Sequence, residues 1–420
     1  MTERLLQYIW QFQYFNKNDL ITTAGEELMI IHPGIYNTHQ GPDFNEGRIR
    51  IGENIWVGNI ELHVDASDWH RHQHSNDKNY RNVILHVVWK NDDVDPEHNI
   101  PTLILEDRVP KILLQQYFSW MKENYFIPCE SSAGNAGDLV WTGWKERLMI
   151  ERLERKSRQV LELLRKNNFH WEETLWWMIS RNFGLYVNAD AFAEMASSIP
   201  YNLISKHRIQ IHQLESLMFG QAGLLDAEFA EKYPSMLKKE YLFLQRKYNL
   251  EKIHAPVHFL RMRPACFPTI RLAQLAMLFH STGNMFSAIL QMETIIKVKM
   301  MLNITANDYW HYHFRFGEAT VYQPKTLGGE MINNILMNTV ATILFTYGKY
   351  HIEPAYQQKA VEWMSQLPAE KNSVMTKFRR IGVTSRNASD SQSLIELKSQ
   401  YCDHKRCLDC AIANAVLKKI

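Results

Sequence analysis

Gly41-Pro42-Asp43-Phe44, Asn59-Ile60-Glu61-Leu62-His63-Val64 and Val83-Ile84-Leu85-His86-Val87-Val88 are the stretches on which the fold turns. Between the second and third lies Trp69-His70-Arg71-His72-Gln73-His74. Residues i and i+2 of a strand share a face, so Glu61 and His63 point the same way. Asp43 reaches the same place if it starts the neighbouring strand. Two carboxylates in a narrow site repel each other unless a cation sits between them. Mg²⁺ accepts carboxylates, waters and phosphate oxygens, and a cation so held activates water and stabilises charge on a displaced phosphodiester oxygen. The segment therefore reads as a candidate hydrolytic metal centre. Blander readings stand beside it. Gly41-Pro42-Asp43 also suits a tight turn in which Asp caps backbone N–H groups, and Glu61 and His63 suit the solvent face of an amphipathic strand. His72 and His74 suit a polar loop, and His86 a core histidine.

Working outward, residues 3–15 read as a helix with Leu5, Leu6, Ile9, Trp10 and Phe12 on one side. Residues 28–31 read as a short strand ended by Pro33-Gly34. Residues 48–51 and 55–57 alternate around the turn residues Gly52-Glu53-Asn54, which predicts a hairpin leading into the Glu-Leu-His strand. The polar stretch 65–82 fits a short helix or a loop. Val83 to Trp89 is nearly continuous apolar sequence, the signature of a buried central strand; residues 102–105 suggest another. Beyond about residue 110 the periodicity is helical, with a long charged helix over 144–165 and further helices over 172–183, 209–219, 235–248, 270–280, 284–299, 328–347 and 355–366. Ala133-Gly134-Asn135-Ala136-Gly137 reads as a linker. The expected class is α+β: a small N-terminal mixed α/β domain over 1–132, then a large all-helical domain over 138–420.

The 420 residues suffice for two or three domains. A net charge of +2 supplies no global field toward nucleic acid or acidic membranes, so any nucleic-acid contact would use a local basic face. The amphipathic start lacks the features of a secretory signal, and no apolar run reaches the roughly 18 residues of a membrane span. Five cysteines, three of them at positions 402, 407 and 410, do not form a disulfide framework, which points to a reducing cytoplasm.

The C-terminal run Cys402-Asp403-His404-Lys405-Arg406-Cys407-Leu408-Asp409-Cys410 is a second constellation. Cys407 and Cys410 have the spacing of half a metal site, and Cys402 with His404 would complete a tetrahedral structural Zn²⁺ set. Three reduced thiols packed at a helix start are the bland alternative. Arg261, Arg263 and Arg271 form a cluster suited to clamping phosphate, or to pairing with acidic helix faces. The basic residues of the 144–165 helix read first as a solvated face with i,i+4 pairs.

The order helix, strand, Asp-bearing turn, hairpin, Glu-x-His strand, helix or loop, buried strand resembles the core of the PD-(D/E)xK nuclease superfamily over roughly residues 3–90. Pro42-Asp43 matches its PD element and Glu61-Leu62-His63 its (D/E)xK element, with histidine in the lysine place. The resemblance implies a restriction-endonuclease-like core. It also implies Mg²⁺ or Mn²⁺ on Asp43 and Glu61, with His63 beside the nucleophile and His72, His74 and His86 as supporting or alternative ligands. A metal-dependent nuclease acting on phosphodiesters is the leading reading. The histidine keeps two others open: a non-catalytic interaction protein with a degenerate nuclease fold, and a Zn²⁺- or Mn²⁺-dependent hydrolase of a small substrate. Cys129 or Cys266 as a distant fourth thiolate resembles iron–sulfur nucleases that staple distant chain ends, with a different spacing, and so implies an iron–sulfur cluster. The whole chain also resembles the uncharacterised bacterial domain-of-unknown-function family 2851. That likeness rests on Ile31-His32-Pro33-Gly34, the motifs above, Arg261-Met262-Arg263-Pro264, Phe267-Pro268, residues 271–276 and the C-terminal cysteines. It implies no activity.

Overall fold

A computed structural model describes residues 1–74, 77–92 and 100–419. The chain forms two compact units. The first comprises Met1–Trp144 and Leu397–Ile420, the second Lys145–Glu396. The architecture is mixed α+β: a six-stranded sheet near the N-terminus is followed by a large helical part. No helix among the described residues is long and apolar enough to cross a membrane.

In the first unit, helix α1 (Glu3–Gln11) starts where the Thr2 side chain accepts the Leu5 N–H, and it buries Leu5, Leu6, Ile9 and Trp10. The helix expected over 3–15 stops earlier. Gln13 takes a positive φ of 55°, and the Tyr14 N–H returns to the Ile9 carbonyl at 2.9 Å. The Trp10 indole donates to the Pro33 carbonyl at 2.9 Å, tying α1 to the sheet.

Strands β1 (Leu28–His32), β2 (Ile35–Tyr36), β3 (Phe44–Ile51), β4 (Asn54–Asp65), β5 (Val83–Lys90) and β6 (Thr102–Ile104) build that sheet in the order β1-β3-β4-β5-β6, with β2 also on β3. β1, β3 and β4 pair antiparallel, whereas β4, β5 and β6 run parallel. The apolar run 83–89 is the buried strand between two parallel neighbours that its sequence predicts. The stretch 65–82 holds one short turn of helix, α2 (Asp68–Arg71), and a 3₁₀ turn, Lys78–Tyr80. Ser75 and Asn76 lie outside the described residues.

The β3–β4 register decides what the sheet can do. Near the hairpin turn Gly47 faces Gly58, but at the strand start Phe44 faces Ile60, so a bulge lies between. Glu46 sits in it with a φ of 59°. An antiparallel slip of one residue exchanges the two faces of a strand. In the observed register Asp43 stands opposite Glu61. Without the bulge it would stand opposite Leu62, whose side chain points the other way.

Two expectations are corrected. Residues 133–137 are no linker: Ala133–Ala136 form a 3₁₀ turn with both alanines buried, and the Trp141 indole donates to the Ala133 carbonyl at 3.1 Å. Small residues here allow close packing, not freedom. The C-terminal segment, expected to belong to the helical domain, instead packs in the first unit: Tyr14 donates to Asn414 at 2.6 Å and Lys419 to the Asn135 carbonyl at 2.6 Å.

The second unit is helical and closes around Trp176, Phe183, Phe192, Phe219 and Trp310. The helix expected over 284–299 is two, Met285–Gln291 and Ile295–Leu302. At its centre the buried Glu215 carboxylate accepts from Tyr233 at 2.6 Å, Asn307 at 2.8 Å and Trp310 at 3.0 Å.

A Cβ at Gly58 would meet the Asn82 carbonyl oxygen at 2.6 Å and Ile84 Cγ2 at 2.5 Å. Backbone cannot yield as a flexible side chain does, so Gly58→Ala should destabilise the first unit by about 1–3 kcal/mol. Urea titration followed by tryptophan fluorescence checks this; an unchanged midpoint would show that the β4–β5 junction has room to spare.

Candidate metal centre

Asp43 and Glu61 meet. The Asp43 N–H donates to Glu61 Oε2 at 3.0 Å, and the Leu62 N–H donates to Asp43 Oδ2 at 3.1 Å. From α1, Gln7 donates to Asp43 Oδ1 at 2.7 Å, while its own oxygen accepts from Tyr36 at 3.3 Å. Burial raises the proton affinity of Asp43, and the charge of Glu3 adds to it. Burial also raises that of Glu61, with the charge of Asp43 next in size. Desolvation and like charge both disfavour the ionised pair, the condition that a bound cation relieves.

The imidazoles lie on the other side of Glu61. In the parallel register Glu61 faces His86, with His63 two residues further along β4. His63 Nδ1 lies 2.8 Å from His86 Nε2, so one of the two rings donates to the other. With Nδ1 so engaged, His63 Nε2 faces Glu61 Oε1 at 3.6 Å. His86 therefore orients His63, as ring partners of ligating histidines do. His72 and His74 come from the turn after α2, where Gln73 takes a φ of 59° that swings its two neighbours to one side. The donor atoms of His63, His72 and His74 all lie within 4.8 Å of one another. His74 Nε2 is 3.5 Å from Glu61 Oε1, and this buried atom has no hydrogen-bond partner among the described residues. Trp69 packs against His63, His74 and His86 with ring centroids 6.3, 5.3 and 5.2 Å away. Tyr80 stacks on His74 at 3.8 Å, and His72 is exposed.

This donor set fits a divalent ion. Glu61 bridges a carboxylate side, Asp43, and an imidazole side, His63, His72 and His74. Carboxylate oxygens suit Mg²⁺ and Mn²⁺, and imidazoles shift preference toward Mn²⁺ or Zn²⁺.

The other sequence-derived candidates lie elsewhere. Arg261, Arg263 and Arg271 belong to the second unit. Arg261 and Arg263 are exposed, but Arg271 is turned into the core, where it donates to Gln274 at 3.0 Å. On the helix Asp138–Lys166, Arg155 makes a two-pronged pair with Glu396 at 2.8 and 2.6 Å, joined by Arg152 at 3.0 Å. Cys402, Cys407 and Cys410 gather in the first unit, but His404 is exposed on a turn beside Lys405, which has a φ of 51°.

Sequence reasoning missed Glu3, Gln7, Tyr36 and Tyr80. Gln7 carried a signal, being a polar residue interrupting an apolar helical stripe. Glu3, Tyr36 and Tyr80 carried none.

Residues 3–373 match the family described as protein of unknown function (DUF2851). The chain belongs to this family. The match takes in the whole sheet, the candidate centre and most of the second unit, and ends before the C-terminal cysteines. No curated protein and no solved structure matches the chain.

If the carboxylates share a cation, Mn²⁺ at about a hundred times its Kd should stabilise the folded protein by about 2.7 kcal/mol. Thermal unfolding with and without Mn²⁺ measures this. Glu61→Gln should unfold later than wild type in chelator, having lost a like charge, yet gain nothing from Mn²⁺. Equal Mn²⁺ shifts for both proteins would remove Glu61 from the ligand set.

Proposed function

We propose that the first unit is a divalent-metal-dependent hydrolase of phosphodiesters, with nucleic acid as its substrate. The observation that carries this reading is the meeting of Asp43 and Glu61 on one face of the sheet, beside His63. The element order supports it: helix, three antiparallel strands, a short helix and a strand parallel to the third agree with what the PD-(D/E)xK resemblance implies.

In this reading Asp43 and Glu61 hold the cation, which supplies the activated water and charge stabilisation that phosphodiester hydrolysis needs. His63 stands where a lysine would supply a permanent charge. An imidazole held by His86 instead offers, in its neutral form, an acceptor for the proton of an attacking water. Gln7 fixes the Asp43 carboxylate, and Trp69 keeps the imidazole side dry. Lys78 and Arg81 are exposed in the segment that carries His72, His74 and Tyr80, and Arg71 beside them pairs with Asp68. Such a local basic rim can meet a phosphate backbone despite the near-neutral chain.

A second reading rests on the imidazole cluster: His63, His72 and His74 with Glu61 would hold Zn²⁺ or Mn²⁺ for hydrolysis of a small substrate.

Labelled single-stranded DNA, duplex DNA and RNA, incubated with Mg²⁺ or Mn²⁺, distinguish the two. Cleavage of at least one should occur with wild type, disappear in Asp43→Ala and Glu61→Ala, and fall by about 100-fold or more in His63→Ala. Intact nucleic acid throughout, together with Zn²⁺-dependent hydrolysis of a small phosphodiester, would replace the first reading by the second.

A further inference from the structure

The second unit holds a cavity of about 380 Å³ where helical segments meet, within the size range of sites for small organic ligands. Helix Asp138–Lys166 contributes Lys156, Val160 and Leu163, which share one helix face at i, i+4 and i+7. Helix Trp171–Phe183 contributes Met178, Arg181 and Asn182. A further wall is Asn334, Asn338 and Thr342, at i, i+4 and i+8 along the consecutive helical stretches Gly329–Ile335, Leu336–Val340 and Ala341–Tyr350. Hydrogen bonds tie these walls together. Lys156 Nζ donates to Asn338 Oδ1 at 2.7 Å, and Asn182 donates to Thr339 Oγ1 at 3.2 Å.

Leu336–Val340, which carries Asn338 and Thr339, is a π-helical turn. Such turns are rare and recur at functional sites. This one leaves a polar group unserved. A threonine hydroxyl inside a helix can donate to the carbonyl four residues back, as Thr346 does to Thr342 at 2.7 Å. For Thr342 that carbonyl belongs to Asn338, within the π turn. The Thr342 hydroxyl, in a residue only 2% exposed, has no hydrogen-bond partner among the described residues.

Charge decides what the cavity takes. Among the described residues its lining holds no carboxylate. Arg181 reaches Asp190 at 2.7 Å. Lys156 is partly buried and has no ion-pair partner among the described residues; its amine meets the neutral amide of Asn338. The acids whose charge reaches it are engaged elsewhere, Glu396 by Arg152 and Arg155 and Glu370 by Gln392. Burial lowers the proton affinity of the Lys156 amine, and the charges of Arg152 and Arg155 lower it further. An ammonium group has more donors than one amide oxygen can use. An anion in the cavity supplies the missing counter-charge and the further acceptors. Val160, Leu163, Met178 and Leu185 offer apolar contact to the rest of such a ligand. As structure alone the void is costly, because larger apolar side chains would fill it.

We propose that this cavity binds a small amphiphilic anion, a carboxylate or phosphate monoester whose head pairs with Lys156 and whose apolar body lies along Val160, Leu163, Met178 and Leu185. The site lies within the second unit and does not depend on the Asp43–Glu61 centre.

The test uses the full chain and anilinonaphthalene sulfonate, an aromatic anion that fluoresces in apolar surroundings. Wild type should bind this dye saturably. Octanoate or octyl phosphate should displace it and raise the unfolding temperature, the stronger of the two naming the head group, while octylamine, with the same apolar body, should do neither. Lys156→Met removes the charge from a side chain of similar length and should weaken dye binding about tenfold or more. Leu163→Trp puts an indole into the cavity and should abolish dye binding. Both variants should keep the far-ultraviolet circular dichroism of wild type, and the displacement series on wild type alone decides the matter if a variant fails to fold. Dye binding that never saturates, displacement by octylamine equal to that by the two anions, or an unchanged dye affinity in either folded variant would overturn the proposal.

Discussion

Two backbone amides hold two like charges together. Asp43 offers its N–H to Glu61 and takes the Leu62 N–H on its own carboxylate, so the start of β3 and the middle of β4 are laced by a reciprocal pair of bonds. Each amide stabilises a carboxylate, but burial acts against both, joined by the charge of Glu3 at Asp43 and by that of Asp43 at Glu61. Such an arrangement is hard to account for as structure alone, because an apolar pair would fill the same space without desolvating charge. The bulge at Glu46 makes the meeting possible, by setting the register that puts Asp43 and Glu61 on one face. Unusual backbone beside a cluster of chemistry-bearing groups is where strain tends to be kept for function.

Glu61 is the hinge of the site. One oxygen takes the Asp43 amide, and the other faces His63 and His74. The parallel β4–β5 pairing sets His86 level with Glu61 and within reach of His63, so the ring that faces the carboxylate is oriented by a second ring. Some charged groups of the second unit are used differently, though Arg271 Nε, Arg315 Nε and Lys325 Nζ there also lack a hydrogen-bond partner among the described residues. Arg152 and Arg155 close on Glu396, and Glu215 is enclosed by three donors. Those groups have their needs met within the fold, whereas His74 Nε2 has no hydrogen-bond partner among the described residues.

Much of this could be read along the chain, because period-two and apolar-run patterns are local. The hairpin, the Glu61/His63 face and the buried strand 83–89 follow from them. The short strand β2 carries too few residues to show a period, and the bulge at Glu46 has no marker in the sequence, where no glycine announces its positive φ. Gln7 and Tyr80 enter the site through tertiary packing, which spacing does not encode. The glycine- and alanine-rich stretch 133–137 reads as a linker, because small residues serve both flexibility and close approach. Its role as a platform for the tail depends on a partner 284 positions away, as the Lys419–Asn135 contact shows.

The central claim is a single cation shared by Asp43 and Glu61. A crystal structure of the protein grown with Mn²⁺, with anomalous diffraction recorded near the manganese edge, tests it directly. The account predicts an anomalous peak about 2.0–2.2 Å from an oxygen of each carboxylate, at Mg²⁺-like bond lengths. A peak absent from this face of the sheet, or one held by imidazoles with Asp43 turned away, would contradict it.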